Sequence, residues 1–158
     1  MQTGFLLLEV GVIRKKNSRY TILKNFLDMC VVTISFWFFG FGVSKGAAGG
    51  LFGGSTSNLA ITSDDINYEQ WIIGYAFCST TCTIVSGALA ERCILDTYIT
   101  FTFIMSSIIY PVSASWAWGD GWLDKLGFQD HAGSGVVHMT AGFAGLLGTL
   151  IIGPRIGF

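Results

Sequence analysis

The sequence predicts an all-α membrane protein, a bundle of about five transmembrane helices, and three observations carry that reading. Half of the 158 residues are hydrophobic and only 12% are charged, against about 25% charged in ordinary soluble domains. The apolar residues gather into five stretches, four of them 21 to 24 residues long, near the ~20 that a helix needs to cross a bilayer core. No stretch shows the sustained period-two alternation of a half-buried strand.

The first stretch, residues 1–13, spans only about 20 Å as a helix, short of the ~30 Å hydrocarbon core, so it is expected as a span cut short at its N-terminal end. It is not a secretory signal, because the basic run Arg14-Lys15-Lys16 follows the apolar segment instead of preceding it. The second stretch runs over residues 21–44. Lys24 and Asp28, one helical turn apart, are expected to pair on its inner turn, leaving Asp28 short of deep burial; Glu9 is a second acid near a helix end. A loop rich in Gly, Ser and Asn (46–67) leads to the third stretch, 70–90. The charge pair Glu91-Arg92 closes it and reads as a helix-end clamp. The fourth stretch covers 94–115, and the connection 116–130 is aromatic and mixed in charge, as an interfacial segment should be, with Trp116 and Trp122 as anchors. The fifth covers 131–153 and is rich in Gly and Ala, small residues that let membrane helices approach closely.

Alternating spans put Arg14, Lys15, Lys16, Arg19, Lys24, Arg92 and Arg155 on one side and only Lys45 and Lys125 on the other. Seven against two is a positive-inside signal, so the chain is expected to begin outside and to end in the cytoplasm. A net charge of −1 and the lack of a basic patch interleaved with aromatics exclude nucleic acid as a partner. The cysteines Cys30, Cys78, Cys82 and Cys93 fall in or beside apolar segments and read as packing residues; Cys78 and Cys82 stand one helical turn apart, but no His or acidic partner suggests a metal site.

Few residues carry chemistry. His138 is an ionisable group inside an apolar span, by default a functional-site candidate; the alternative is an imidazole merely satisfied by a nearby carbonyl. A neutral imidazole donates and accepts a hydrogen bond, which suits a small polar permeant or a proton relay. Asp130 precedes the same helix and fits a cap for its orphan N–H groups; a carboxylate at an outer mouth, attracting cations, is compatible with that. Tryptophans in a membrane chain are usually interfacial anchors; one over an outer vestibule, as Trp118 would be in the functional reading, attracts a partly desolvated cation by roughly 0.5–2 kcal/mol. Phe77, among Gly74, Ala76 and Ser79, reads by itself as core. Asp120, Asp124 and Asp130 lack ligand spacing, so no metal centre and no enzyme chemistry are expected.

The run Asp130-His131-Ala132-Gly133-Ser134-Gly135-Val136-Val137-His138, continued by Met139-Thr140-Ala141-Gly142-Phe143-Ala144-Gly145 and closed by Gly153-Pro154-Arg155, resembles the signature of the ammonium transporter family. So do Gly87-Ala88-Leu89-Ala90-Glu91-Arg92 and Trp116-Ala117-Trp118-Gly119. The likeness covers essentially all 158 residues and points to the Amt branch of the Amt/Mep/Rh superfamily; His131 departs, standing where an aromatic or serine is usual. The resemblance implies that residues 1–158 form a partial ammonium transporter domain, the first of two inverted five-helix halves, starting partway into its first helix. It implies that Trp118 is the aromatic of an outer recruitment site supported by Asp130, that Phe77 is one of two pore-gating phenylalanines, and that His138 is the first of two pore histidines. The second phenylalanine, the second histidine and a recruitment-site serine would lie beyond Phe158. The implied substrate is ammonium or ammonia, with methylammonium as analogue. The implied assembly is a homotrimer in the lipid bilayer of the plasma membrane, without a cofactor. A non-transporting sensor or membrane scaffold of the same family is the alternative.

Overall fold

The computed structural model describes residues 1–45 and 67–157, and among these every regular element is a helix, with no strand. Helix α1 (Gln2–Val12) is short, as its sequence predicts. Helix α2 (Lys15–Lys45) has 31 residues, longer at its inner end than the apolar stretch alone suggests. Helix α3 is Tyr68–Leu89, α4 covers residues 95–118, α5 is the single turn Trp122–Lys125, and α6 is Ser134–Ile152. Among the described residues, four helices are long and apolar enough to cross a membrane, with α1 as a shorter apolar fifth. This is a multi-pass membrane architecture. The Gly-rich loop read at 46–67 lies, except for Asn67, outside the described residues; Asn67 caps α3 by accepting the Gln70 N–H at 3.1 Å.

Helices α2 and α4 each carry a turn wound wider than the α-helix within their length. In α2 it covers Phe36–Gly40 and in α4 Met105–Ile109, the latter directly ahead of Tyr110-Pro111, where proline removes a backbone donor from the ladder. The two wide turns face one another. A Cβ on Gly40 would meet the Ser106 carbonyl oxygen at 2.5 Å, and the Ser35 and Ser106 hydroxyls are hydrogen-bonded. Only a residue without a side chain lets α2 and α4 approach so closely. Elsewhere α6 packs on α3 through its small residues: a Cβ on Gly145 would stand 3.1 Å from that of Ala88. Val32, Phe36, Cys82, Val85 and Met105 fill the interior between these helices.

The structure corrects the expected pairing in α2. Lys24 does not pair with Asp28; its Nζ lies 3.3 Å from Glu9 Oε2, donates to the Ser86 carbonyl at 3.1 Å and sits 4.9 Å from the centre of the Tyr98 ring. Asp28, far from being shallow, is only 1% exposed and accepts the hydroxyls of Tyr98 at 2.7 Å and Thr102 at 2.9 Å. Asn25 Nδ2 and the Ser86 hydroxyl complete the partners of Glu9. The physical reason is that four helices, and not one, surround these groups. A buried charge is tolerated only when paired and hydrogen-bonded, and the partners come from other elements. Of the cysteines, Cys78 and Cys82 are buried as expected, whereas Cys30 is exposed on α2 and packs no core.

Candidate functional site

At the end of the bundle where α4 stops and α6 begins, a cavity of about 390 Å³ opens between α2, α3 and α4. Its lining includes Phe77, Trp118 and Asp130, together with Phe41, Lys45 and Tyr110. Phe77 is half-buried on α3 and Trp118 closes α4; their ring centres are 5.4 Å apart at an angle of 45°, within the range of attractive aromatic pairs. Trp118 belongs to the helix and not to the connection where the sequence puts it, because α4 continues three residues past its apolar stretch. Its indole Nε1–H donates to the Asp130 carbonyl at 3.2 Å, which fixes the ring's orientation beside Phe77.

Asp130 fulfils the capping expectation, from four residues ahead of α6. Its Oδ1 accepts the Gly133 N–H at 3.1 Å, and its Oδ2 accepts the N–H groups of Gly135 at 3.0 Å and Val136 at 2.7 Å. The helix starts at Ser134, three residues later than its apolar pattern, because Gly133 adopts the left-handed conformation at φ +88°. That conformation is natural for glycine alone, and a Cβ there would also stand 2.7 Å from Val137 Cγ2.

The first turns of α6, Ser134–Met139, are again wider than an α-helix. The Gly133 carbonyl takes the backbone N–H groups of both Val137 and His138, each at 3.0 Å. His138 Nδ1 reaches the same carbonyl at 3.1 Å. A carbonyl only accepts, so Nδ1 carries the proton and Nε2 of a neutral ring is left as an acceptor. The imidazole is thus both satisfied by a carbonyl and equipped with one unused lone pair. His138 is exposed and does not line the cavity that holds Phe77, Trp118 and Asp130. The common element is Gly133, whose carbonyl orients His138 and whose Cα lies against the Trp118 ring edge, 3.6 Å from a Cβ built there. Sequence reasoning missed Phe41 and Lys45 as cavity residues. The charge count that put Lys45 on the outer side was the available signal.

On the opposite side of the membrane, Glu91 ties the helix ends together. It accepts the Arg14 backbone N–H at 3.1 Å and Asn17 Nδ2 at 2.6 Å, and pairs with Arg14 at 3.9 Å and Arg155 at 3.4 Å. Arg92 Nη1 donates to the Gly153 carbonyl at 2.6 Å. The Asn17 hydrogen bond, followed by the Arg14 N–H and the two guanidinium charges, holds the Glu91 carboxyl below its ordinary pKa. The clamp reading of Glu91-Arg92 is met. Among the described residues, no group of three or more His, Cys, Asp or Glu stands close enough to hold a metal.

The family profile described as Ammonium Transporter Family matches residues 1–158. Ammonium transporter 3 of Dictyostelium discoideum is 39% identical over 99% of this chain, and the chain covers 36% of that protein. Ammonium transporter Amt2 of Archaeoglobus fulgidus is 37% identical over 99% of this chain, again covering 36% of the relative. A solved structure described as Sensor Amt Protein superposes with a TM-score of 0.89 at 35% identity, over 98% of this chain and 41% of that one. The chain spans somewhat more than a third of the length of these relatives.

Proposed function

The chain belongs to the ammonium transporter family, a family of transporters and not of enzymes, and from that premise we propose that it supplies one wall of a transmembrane path for ammonium or ammonia. In this reading the cavity over Phe77 and Trp118 is the outer recruitment site, with the Trp118 face attracting the cation and Asp130 holding the ring and the head of α6 in place. Phe77 is the gate beneath it, and His138 is the polar group further along the path. The family relatives are about three times as long, and the remaining wall, including the second phenylalanine and histidine, is proposed to come from residues beyond this chain. The exposure of His138 and of the apolar face around Phe143 and Leu147 agrees with such a covering. A homotrimer in the plasma membrane, with the Arg155 end in the cytoplasm, completes the proposal.

The observation that carries it is the aromatic cavity of Phe77 and Trp118, with His138 outside it and oriented by the Gly133 carbonyl. Full desolvation of a cation in a narrow apolar path is prohibitive, so ammonium transfers its proton to solvent water at the mouth of the cavity, and ammonia passes with its N–H groups donating to Nε2. The test is uptake of methylammonium by the protein expressed from its native reading frame in a host without ammonium transporters. Uptake that saturates and is inhibited by ammonium is expected; no uptake, or uptake unchanged in both His138→Ala and Trp118→Leu, would overturn the reading. The likeness to the structure described as Sensor Amt Protein favours a second reading, an ammonium sensor that binds without transporting. Methylammonium binding to the purified protein, with no uptake by the host, would select it.

A further inference from the structure

Lys45 is the one cationic side chain lining the outer cavity, and nothing in the proposed transport uses it. It is the last residue of α2, exposed, with Nζ 5.8 Å from the centre of the Phe41 ring, and Phe41 lines the same cavity. Asp130, the carboxylate of that lining, spends both oxygens on the backbone N–H groups of α6. Among the described residues no carboxylate lies within ion-pair distance of Lys45. The lysine therefore presents an alkylammonium to an aromatic-lined space, which is the chemistry of methylammonium itself on a tether.

We propose that Lys45 is a built-in competitor of the substrate cation, setting a low apparent affinity at the outer cavity. This rests on the ammonium reading above. Lys45 and Trp118 line the same cavity, and charges no further apart than about one Debye length, ~8 Å at physiological salt, still act on one another. Two like charges at that separation repel, and at effective dielectrics between those of a protein surface and bulk water the repulsion weakens cation occupancy by roughly three- to tenfold. The tether adds direct competition, since both ammonium groups favour the same aromatic faces.

The experiment compares Lys45→Gln, Lys45→Met and Lys45→Arg in the native reading frame, with methylammonium as the probe. Uptake gives KM and maximal rate, and tryptophan fluorescence of the purified protein gives binding without requiring transport. Both neutral variants should lower KM and the binding constant about three- to tenfold with little change in maximal rate, whereas Lys45→Arg should stay near wild type. The gain should shrink as ionic strength rises, because screening already weakens the repulsion in wild type. A KM and a binding constant unchanged in Lys45→Gln and Lys45→Met would overturn the proposal, as would an effect confined to maximal rate or protein abundance, the signature of a mere helix-end anchor. Trp118→Leu separates the two levels of inference. If it weakens binding while the Lys45 variants do nothing, only the competitor role fails; if wild type neither takes up nor binds methylammonium, the ammonium reading and the competitor fall together.

Discussion

Replacing Asp130 tests whether the Trp118 cavity is built by the cap of α6. Three backbone N–H groups at the head of α6 converge on this one carboxylate, at 2.7 to 3.1 Å. A hydrogen bond to a charged group contributes about 1.5–3 kcal/mol, but Asp130 is only half-buried and the three bonds share one anion, so their sum overstates the effect. Water can reach part of the helix head in Asp130→Ala, leaving a loss of about 2–4 kcal/mol. Asp130→Asn keeps one acceptor oxygen and loses the charge facing the positive end of the helix dipole, which costs about 1–2 kcal/mol. Thermal unfolding of the purified protein, followed by circular dichroism in detergent, should therefore rank wild type above Asn and Asn above Ala. Methylammonium uptake should fall in the same order, because the residue whose carbonyl orients Trp118 is the one displaced. An Asp130→Ala protein within about 0.5 kcal/mol of wild type would refute the cap. Loss of uptake with stability intact in Asp130→Asn would instead assign the carboxylate a direct part in cation attraction.

His138→Ala should abolish or strongly alter methylammonium uptake, since the permeant loses a hydrogen-bond partner worth roughly 1–3 kcal/mol at a depth with few substitutes; Trp118→Leu should raise KM by the cation–π contribution of about 0.5–2 kcal/mol while leaving a path open. Lys24→Met should destabilise by about 3–5 kcal/mol by stranding the Glu9 carboxylate, and the double change with Glu9→Leu should recover much of that loss; thermal melts of both variants decide it. For Glu91 the sign follows from its depressed pKa in the folded protein. Its contribution is fully present above the ordinary carboxylate range, near pH 4.3, and is lost as pH falls through the folded value. Melting temperature should thus drop below about pH 4 in wild type more steeply than in Glu91→Gln; parallel profiles would remove the clamp's electrostatic part.

The spans were legible because each is a long apolar run, and the fold class needs nothing finer. The boundaries were less so. The head of α6 moved from residue 131 to Ser134 because Asp130 and the left-handed Gly133 set the start of the helix, and hydropathy does not register either. The outer cavity was half legible: Trp118, Asp130 and Phe77 were singled out through the signature runs and not through any physical property of the isolated residues, and Phe77 in particular reads as core by itself. The Glu9–Lys24 pair was invisible because its members come from different helices, and a one-turn spacing offered the nearer and wrong partner for Lys24. Lys45 appeared in the sequence only as a sign in a topology count. Its cavity exists only once α2, α3 and α4 converge.

The placement of Phe77 depends on α3 being held from two sides by different physics. On one side Ser79, Thr83 and Ser86 face α1 and α2, bonded to Gln2 and Glu9, so the polar interior fixes the helix's rotation. On the other, Ala88 and Leu89 press against Gly145 and Gly148 of α6, which fixes its distance from the histidine helix. Small residues tolerate sliding along a seam, whereas hydrogen bonds of defined partners do not. The buried ionic cluster is therefore expected to hold the rotation of α3, and with it the placement of Phe77. Disturbing it should shift Phe77 against Trp118 before it unfolds the bundle, and an increase in Trp118 fluorescence mobility in Lys24→Met at temperatures below melting would be its sign. Unchanged Trp118 emission up to the unfolding transition would show that α6 packing alone sets the placement of Phe77.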